Sequence, residues 1–137
     1  MRYRKRLRSP LHDYKKSGAY FVTICSNDGL ELFGSVKNKL ILNDAGVMVE
    51  RVWQQMPNRF SNISLDCYVV MPNHFHAIVA LGMELINGEW LRLDEKLNPS
   101  ISEVIAAFKS ITTLEYSESV HEKGWQPFRR RLWQRLF

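Results

Sequence analysis

The chain has 137 residues, 45% of them hydrophobic and 24% charged, with a formal net charge of +5. That is enough for one domain with a core, and too apolar for a disordered chain. No apolar run approaches the ~18–20 residues of a membrane span, no apolar segment follows the first arginines as it would in a secretory signal, and Cys25 and Cys67 lack C-x-x-C spacing. The expectation is a reduced, cytoplasmic protein with no membrane partner.

Residues 1–18 read as a basic arm. The first 16 residues hold seven Lys/Arg against Asp13 alone, and Tyr3 stands among Arg2, Arg4, Lys5, Arg6 and Arg8. Rings stack on bases while guanidinium groups hold phosphates, so this mixture points to a nucleic acid; the competing reading is a solvated tail. Residues 19–25 are rich in β-branched and aromatic side chains and predict a strand, closed by turn chemistry at 26–29. Residues 32–36 and 39–42 predict a hairpin around Lys37-Asn38. Asn43 or Asp44 then caps a helix carrying Val47, Val49, Val52, Trp53 and Met56, stopped by Pro57. A loop over 58–62 follows.

Residues 63–81 are the most apolar stretch and hold Met71-Pro72-Asn73-His74-Phe75-His76. Pro-Asn signals a turn between two strands. Residues two apart on a strand share a face, so His74 and His76 point one way and Phe75 the other. Two adjacent imidazoles can share a divalent cation; the bland reading is a pair of half-buried histidines. Residues 82–99 read as a loop punctuated by Gly82, Asn87, Gly88 and Pro99. Ser100 or Ser102 caps a second helix, with Ile101, Val104, Ile105, Phe108 and Ile111 at helical spacing and Lys109 off that stripe. Residues 121–137 form a basic aromatic tail with Trp125, Phe128, Arg129, Arg130, Arg131 and Trp133.

This order suits an α+β fold, a ferredoxin-like antiparallel sheet with two helices packed on one face. The division is an arm (1–18), a domain (19–120) and a tail (121–137). The histidines belong on the open face of the sheet, and Phe75 belongs under the helices.

Several stretches together resemble the HUH single-tyrosine transposases, in particular the REP-associated tyrosine transposases. They are Tyr20-Phe21-Val22-Thr23-Ile24-Cys25, Leu32-Phe33-Gly34, Leu42-Asn43-Asp44-Ala45-Gly46, Tyr68-Val69-Val70-Met71-Pro72-Asn73-His74-Phe75-His76, Phe108-Lys109-Ser110 and Leu132-Trp133-Gln134-Arg135. They run in order along most of the chain, and the histidine stretch is the specific one. The resemblance implies that His74 and His76 bind Mg²⁺ or Mn²⁺ and that the substrate is single-stranded or hairpin DNA. It implies cleavage and rejoining through a phosphotyrosine, in a monomer or homodimer associated with the nucleoid. Arg2, Arg4, Lys5, Arg6, Arg8, Lys109, Arg129, Arg130 and Arg131 are the expected DNA contacts.

The sequence departs from that pattern at one place. The family carries its nucleophilic tyrosine on a helix after Trp-Gln-Arg, and here Trp133-Gln134-Arg135 is followed only by Leu136 and Phe137. The expectation is therefore a chain truncated before its nucleophile and inactive alone. Tyr116, the one tyrosine after the histidines, is the candidate substitute, the alternative being that it packs. Two other functional readings stand beside the transposase: a DNA-hairpin-binding module without chemistry, and an unrelated metal-dependent hydrolase using His74, His76 and Asp66 or His121.

Overall fold

A computed structural model of the chain describes residues 16–135. The arm cations Arg2, Arg4, Lys5, Arg6 and Arg8 lie outside the described residues. The strands, in chain order, are β1 (Gly18–Cys25), β2 (Gly34–Lys37), β3 (Lys39–Leu42), β4 (Ile63–Met71), β5 (His74–Leu81), β6 (Met83–Ile86) and β7 (Glu89–Arg92). The main sheet is antiparallel in the order β1-β5-β4. The histidine strand β5 is thus flanked on both sides, with no free edge of its own among the described strands.

Alternation along β1 sends Val22 and Ile24 into the core and leaves Phe21, Thr23 and Cys25 on the opposite face. On β5 the buried set is Phe75, Ala77, Val79, Ala80 and Leu81. The pairing register of the main sheet shifts once, on β4. The register shifts between Leu65, opposite Val79, and Tyr68, opposite Ala77, so Asp66 and Cys67 together oppose Ile78. This β-bulge lets Leu65 and Tyr68, three apart, both turn towards the helices.

The helices are α1 (Asp44–Gln54), the single turn α2 (Met56–Arg59) and α3 (Ile101–Lys123). The Asn43 side chain accepts the Gly46 N–H and caps α1. Pro57 does not end helical structure as expected. It sits in the first turn of α2, where its missing N–H has no intrahelical partner to lose. Ser100 and Glu103 form a reciprocal capping box at the start of α3. At the other end Gly124 takes the left-handed conformation (φ +71°) that stops the helix. The expected boundary at 120/121 therefore falls inside the last turn of α3. Both long helices cover one face of the sheet. Trp53 of α1 and Phe108 of α3 each put a ring against Phe75, with centroids 5.1 and 5.0 Å apart. Burying each such ring contributes on the order of 1.5–3 kcal/mol.

Residues 82–99, expected to be a loop, contain the hairpin β6–β7. Its two-residue turn is Asn87-Gly88, both at positive φ (51° and 82°), the backbone that matches the twist of a tight hairpin. The strands are short and almost wholly exposed, so burial imposes no alternation and the apolar pattern is silent.

The tail is not a free appendage. Trp133 forms an antiparallel bridge with Ser26, the Asn27 N–H donates to Leu132 O at 2.8 Å, and the Gln134 N–H donates to Cys25 O at 2.8 Å. The tail therefore lies beside β1, on the side away from β5. The spatial order tail-β1-β5-β4, with α1 and α3 as the crossovers, is the split β-α-β arrangement of ferredoxin-like folds. The hairpins β2–β3 and β6–β7 are insertions into it.

Gly46 sets one sharp packing constraint. A Cβ there would lie 2.2 Å from the Phe33 carbonyl oxygen. Alanine normally gains about 1 kcal/mol over glycine inside a helix, yet Gly46→Ala is expected to destabilise the domain by ~1–3 kcal/mol, because backbone must move to admit the methyl. Urea denaturation of the variant checks the sign; a stability gain would mean the α1–Phe33 contact is softer than its geometry.

Candidate functional site

The site is built on the turn between β4 and β5. Pro72-Asn73 spans it, and its two carbonyls are held from outside. Phe33 N–H donates to Pro72 O, and Ser26 N–H donates to Asn73 O, while the Ser26 hydroxyl donates to Leu30 O at 2.7 Å. Ser26 is fully buried. The first residue of β5 thus leaves a clamped turn, which limits the directions the next side chains can take.

The open face of the sheet reads as rows across three strands. Cys25, His74 and Met71 form the first row, and Thr23, His76 and Val69 the second. Phe21, Ile78 and the bulge at Asp66/Cys67 form the third. His74 and His76 lie side by side, ring centroids 4.5 Å apart and planes at 79°. Phe75 between them is 0% exposed and faces the helices. The expected division of faces is what the structure has.

Each imidazole has one nitrogen engaged. His74 Nδ1 is 2.8 Å from Asn73 Oδ1, an acceptor, so that nitrogen carries the proton and donates. His76 Nδ1 is 3.0 Å from Thr23 Oγ1. A hydrogen bond at Nδ1 orients each ring, and at His74, where Nδ1 donates, it leaves Nε2 as the nitrogen with a lone pair to offer. Burial, followed by the neighbouring His76, lowers the pKa of His74 below its ordinary 6.5, so its ring is neutral at pH 7. Asn73 and Thr23 were not singled out in the sequence. Asn73 could have been, as the side chain next to a ligand-type histidine. Thr23 could not, because its partnership with His76 exists only through the β1–β5 register.

Among the described residues, no group of three or more His, Cys, Asp or Glu side chains gathers as a metal site. The hydrolase reading therefore lacks its third ligand. Asp66 is exposed on the bulge, and His121 is exposed in the last turn of α3, the helix that covers the opposite face of the sheet.

The candidate nucleophile Tyr116 is 1% exposed. Its hydroxyl donates to Gln126 O at 2.7 Å, and its ring packs on Phe33, Trp125 and Phe128. Burial raises its pKa. A phenol that is sealed, already donating and harder to ionise cannot reach a phosphodiester, so the packing alternative describes Tyr116. Tyr20 donates to Lys16 O, and Tyr68 accepts from Gln54 of α1. Tyr3 and Tyr14 lie outside the described residues.

Lys109, expected to contact DNA, has its ammonium on the tail: Nζ donates to Gln134 O at 2.7 Å and Arg135 O at 3.1 Å. It clamps the segment that runs past Cys25, the register partner of His74. Arg129 and Arg130 are exposed and Arg131 is half-buried on the same tail. Asn27 Nδ2 donates to Arg129 O, which ties that stretch to the end of β1.

No helix among the described residues is long and apolar enough to cross a membrane. No family model matches the chain. A curated relative, an uncharacterized protein of Haemophilus influenzae, is 35% identical over 88 residues, covering 64% of this chain and 48% of the relative. The chain thus spans about half the length of the curated relative that it matches.

Proposed function

We propose that the chain is a DNA-binding domain of the HUH single-tyrosine transposase class, acting on single-stranded DNA hairpins with a divalent cation at His74 and His76. The observation that carries this reading is the pair of imidazoles on the open face of a central strand, each steadied at Nδ1 by Asn73 or Thr23. The donor set fits an ion, with two imidazoles on one rigid strand and room on the open side for oxygens from water or DNA. Imidazole nitrogen favours Mn²⁺ over the harder Mg²⁺. An ion bound there supplies Lewis-acid polarisation of a phosphodiester. The protein's own part is to hold both rings in place, to present the open sheet face to the strand, and to draw the polyanion with the basic tail.

A second reading is favoured by a separate observation. The hydroxyls of Tyr20, Tyr68 and Tyr116 are each taken up by another part of the fold. These bonds support a reading in which none of the three is a nucleophile and the described domain is a hairpin-binding module without chemistry. Tyr116→Phe should leave its DNA affinity unchanged.

Both readings are tested by incubating the chain with a single-stranded hairpin DNA and Mn²⁺. Expected are an affinity that falls steeply with salt, weaker binding after deletion of residues 2–8, and no covalent adduct on a denaturing gel. An adduct that disappears in Tyr116→Phe would overturn the assignment of Tyr116 to packing. Failure to bind the hairpin at low salt would remove the transposase reading altogether.

A further inference from the structure

The open face changes character along its length. The first two rows hold the imidazoles; the third is apolar apart from Asp66 on the bulge, and Phe21 on it is 85% exposed, more than any other large hydrophobic side chain among the described residues. Phe21 sits directly across from Ile78, one row beyond the Thr23–His76 pair, a step of roughly 6.7 Å along the strand. A groove of about 410 Å³ joins the two rows, lined by Phe21, Thr23, Cys67, Val69, His76 and Ile78. The bulge on β4 places Cys67 opposite Ile78 and so forms one wall.

We propose that this third row is a stacking platform: Phe21, flanked by Ile78, Val69 and Cys67, takes one unpaired base of single-stranded DNA whose adjoining phosphate lies at the histidines. The inference rests on the reading that single-stranded DNA is the ligand, and adds which side chain grips it next to the ion site. Three features favour a base over another apolar occupant. The groove is apolar at the Phe21 end and opens onto an imidazole at the other, the sequence of surfaces that a base and its phosphate present. No carboxylate is among its lining residues; Asp66, next to Cys67 on the bulge, lies outside that lining. The tail bearing Arg129, Arg130, Arg131 and Arg135 runs beside Cys25, beyond the histidines, so cationic character increases in the direction the phosphates would continue. An exposed ring on a sheet face grips any base through its π-face, without reading its edge.

The test uses the whole 137-residue chain and short single-stranded oligonucleotides carrying the fluorescent adenine analogue 2-aminopurine at successive positions. In the unsubstituted protein the fluorescence at one position should be quenched by stacking. Phe21→Ala should lose that quench and weaken binding by about tenfold or more, and Phe21→Trp should restore both. Exposure of the ring means that circular dichroism and thermal unfolding should be unaltered in Phe21→Ala. If the chain binds but Phe21→Ala keeps affinity and quench, the platform is wrong and the DNA reading survives. If Phe21→Ala weakens binding yet the quench persists, the platform is also wrong. If the unsubstituted chain binds no oligonucleotide, the DNA reading fails first and takes the platform with it. A Phe21→Ala change in sedimentation with unaltered DNA affinity would instead make this face a contact between copies of the chain.

Discussion

The His74→Ala/His76→Ala double variant is expected to take up no Mn²⁺ in a calorimetric titration in which the unsubstituted chain binds the ion. The reason is the donor count: among the described residues no group of three or more His, Cys, Asp or Glu side chains gathers, so the proposed site depends on these two rings. Folding should be nearly unaffected, because His76 is exposed and His74 half-buried, and surface substitutions are usually within ±0.5 kcal/mol. The Thr23→Val variant refines the test. It keeps a β-branched side chain on β1 but removes the Oγ1 that holds His76 Nδ1, and losing such a partner typically costs 10–100-fold in metal affinity. Full Mn²⁺ affinity in Thr23→Val would mean that the hydrogen bond does not orient the ring. Uptake persisting in the double variant would locate the ion elsewhere and remove the basis of the proposed function.

The second large effect is expected far from the histidines in sequence. Trp133→Ala should destabilise the domain by ~3–5 kcal/mol, the range for emptying a fully packed aromatic site. The ring stacks on Phe33 at 4.9 Å and lies 5.9 Å from Phe108, and its Nε1 donates to Thr112 Oγ1 at 2.9 Å. The Thr112 hydroxyl in turn donates to Phe108 O, so the indole closes a chain of bonds between the tail and α3. Trp133→Phe keeps most of the stacking and loses the donor, and should cost about 1 kcal/mol for that hydrogen bond, plus a part for lost volume. Urea denaturation separates the two variants. Proteolysis after Gly124 should be faster in Trp133→Ala, because the same ring anchors the strand whose Gln134 N–H pairs with Cys25 O. A Trp133→Ala domain as stable as the original would mean that the tail is docked by Leu132 and the backbone bridge alone.

How much of this was readable beforehand follows from how local each cause is. The caps, narrowed to Asn43 or Asp44 and to Ser100 or Ser102, the turn at Asn38 and the Pro72-Asn73 link between two strands each depend on a few consecutive residues and their dihedral preferences. The opposite facing of Phe75 and the histidines follows from the two-residue period of a strand, which no tertiary contact can alter without a bulge. An α+β order with helices on one face follows from where the periodicity changes along the chain.

The rest depended on contacts between distant residues. The partnership of Thr23 with His76 needs the β1–β5 register, set by burying Val22, Ile24, Phe75 and Ala77 together. The bulge at Asp66/Cys67 arises because Leu65 and Tyr68 both gain more from the core than strict alternation allows. Lys109 and Tyr116 carry side chains that suit phosphate contact and nucleophilic attack. Their actual partners, the carbonyls of Gln134, Arg135 and Gln126, become available only once the tail folds back along β1. Chemistry of a side chain is a local property and can be read from one letter; what that side chain faces is a property of the closed fold, settled by which distant apolar surfaces exclude water from each other.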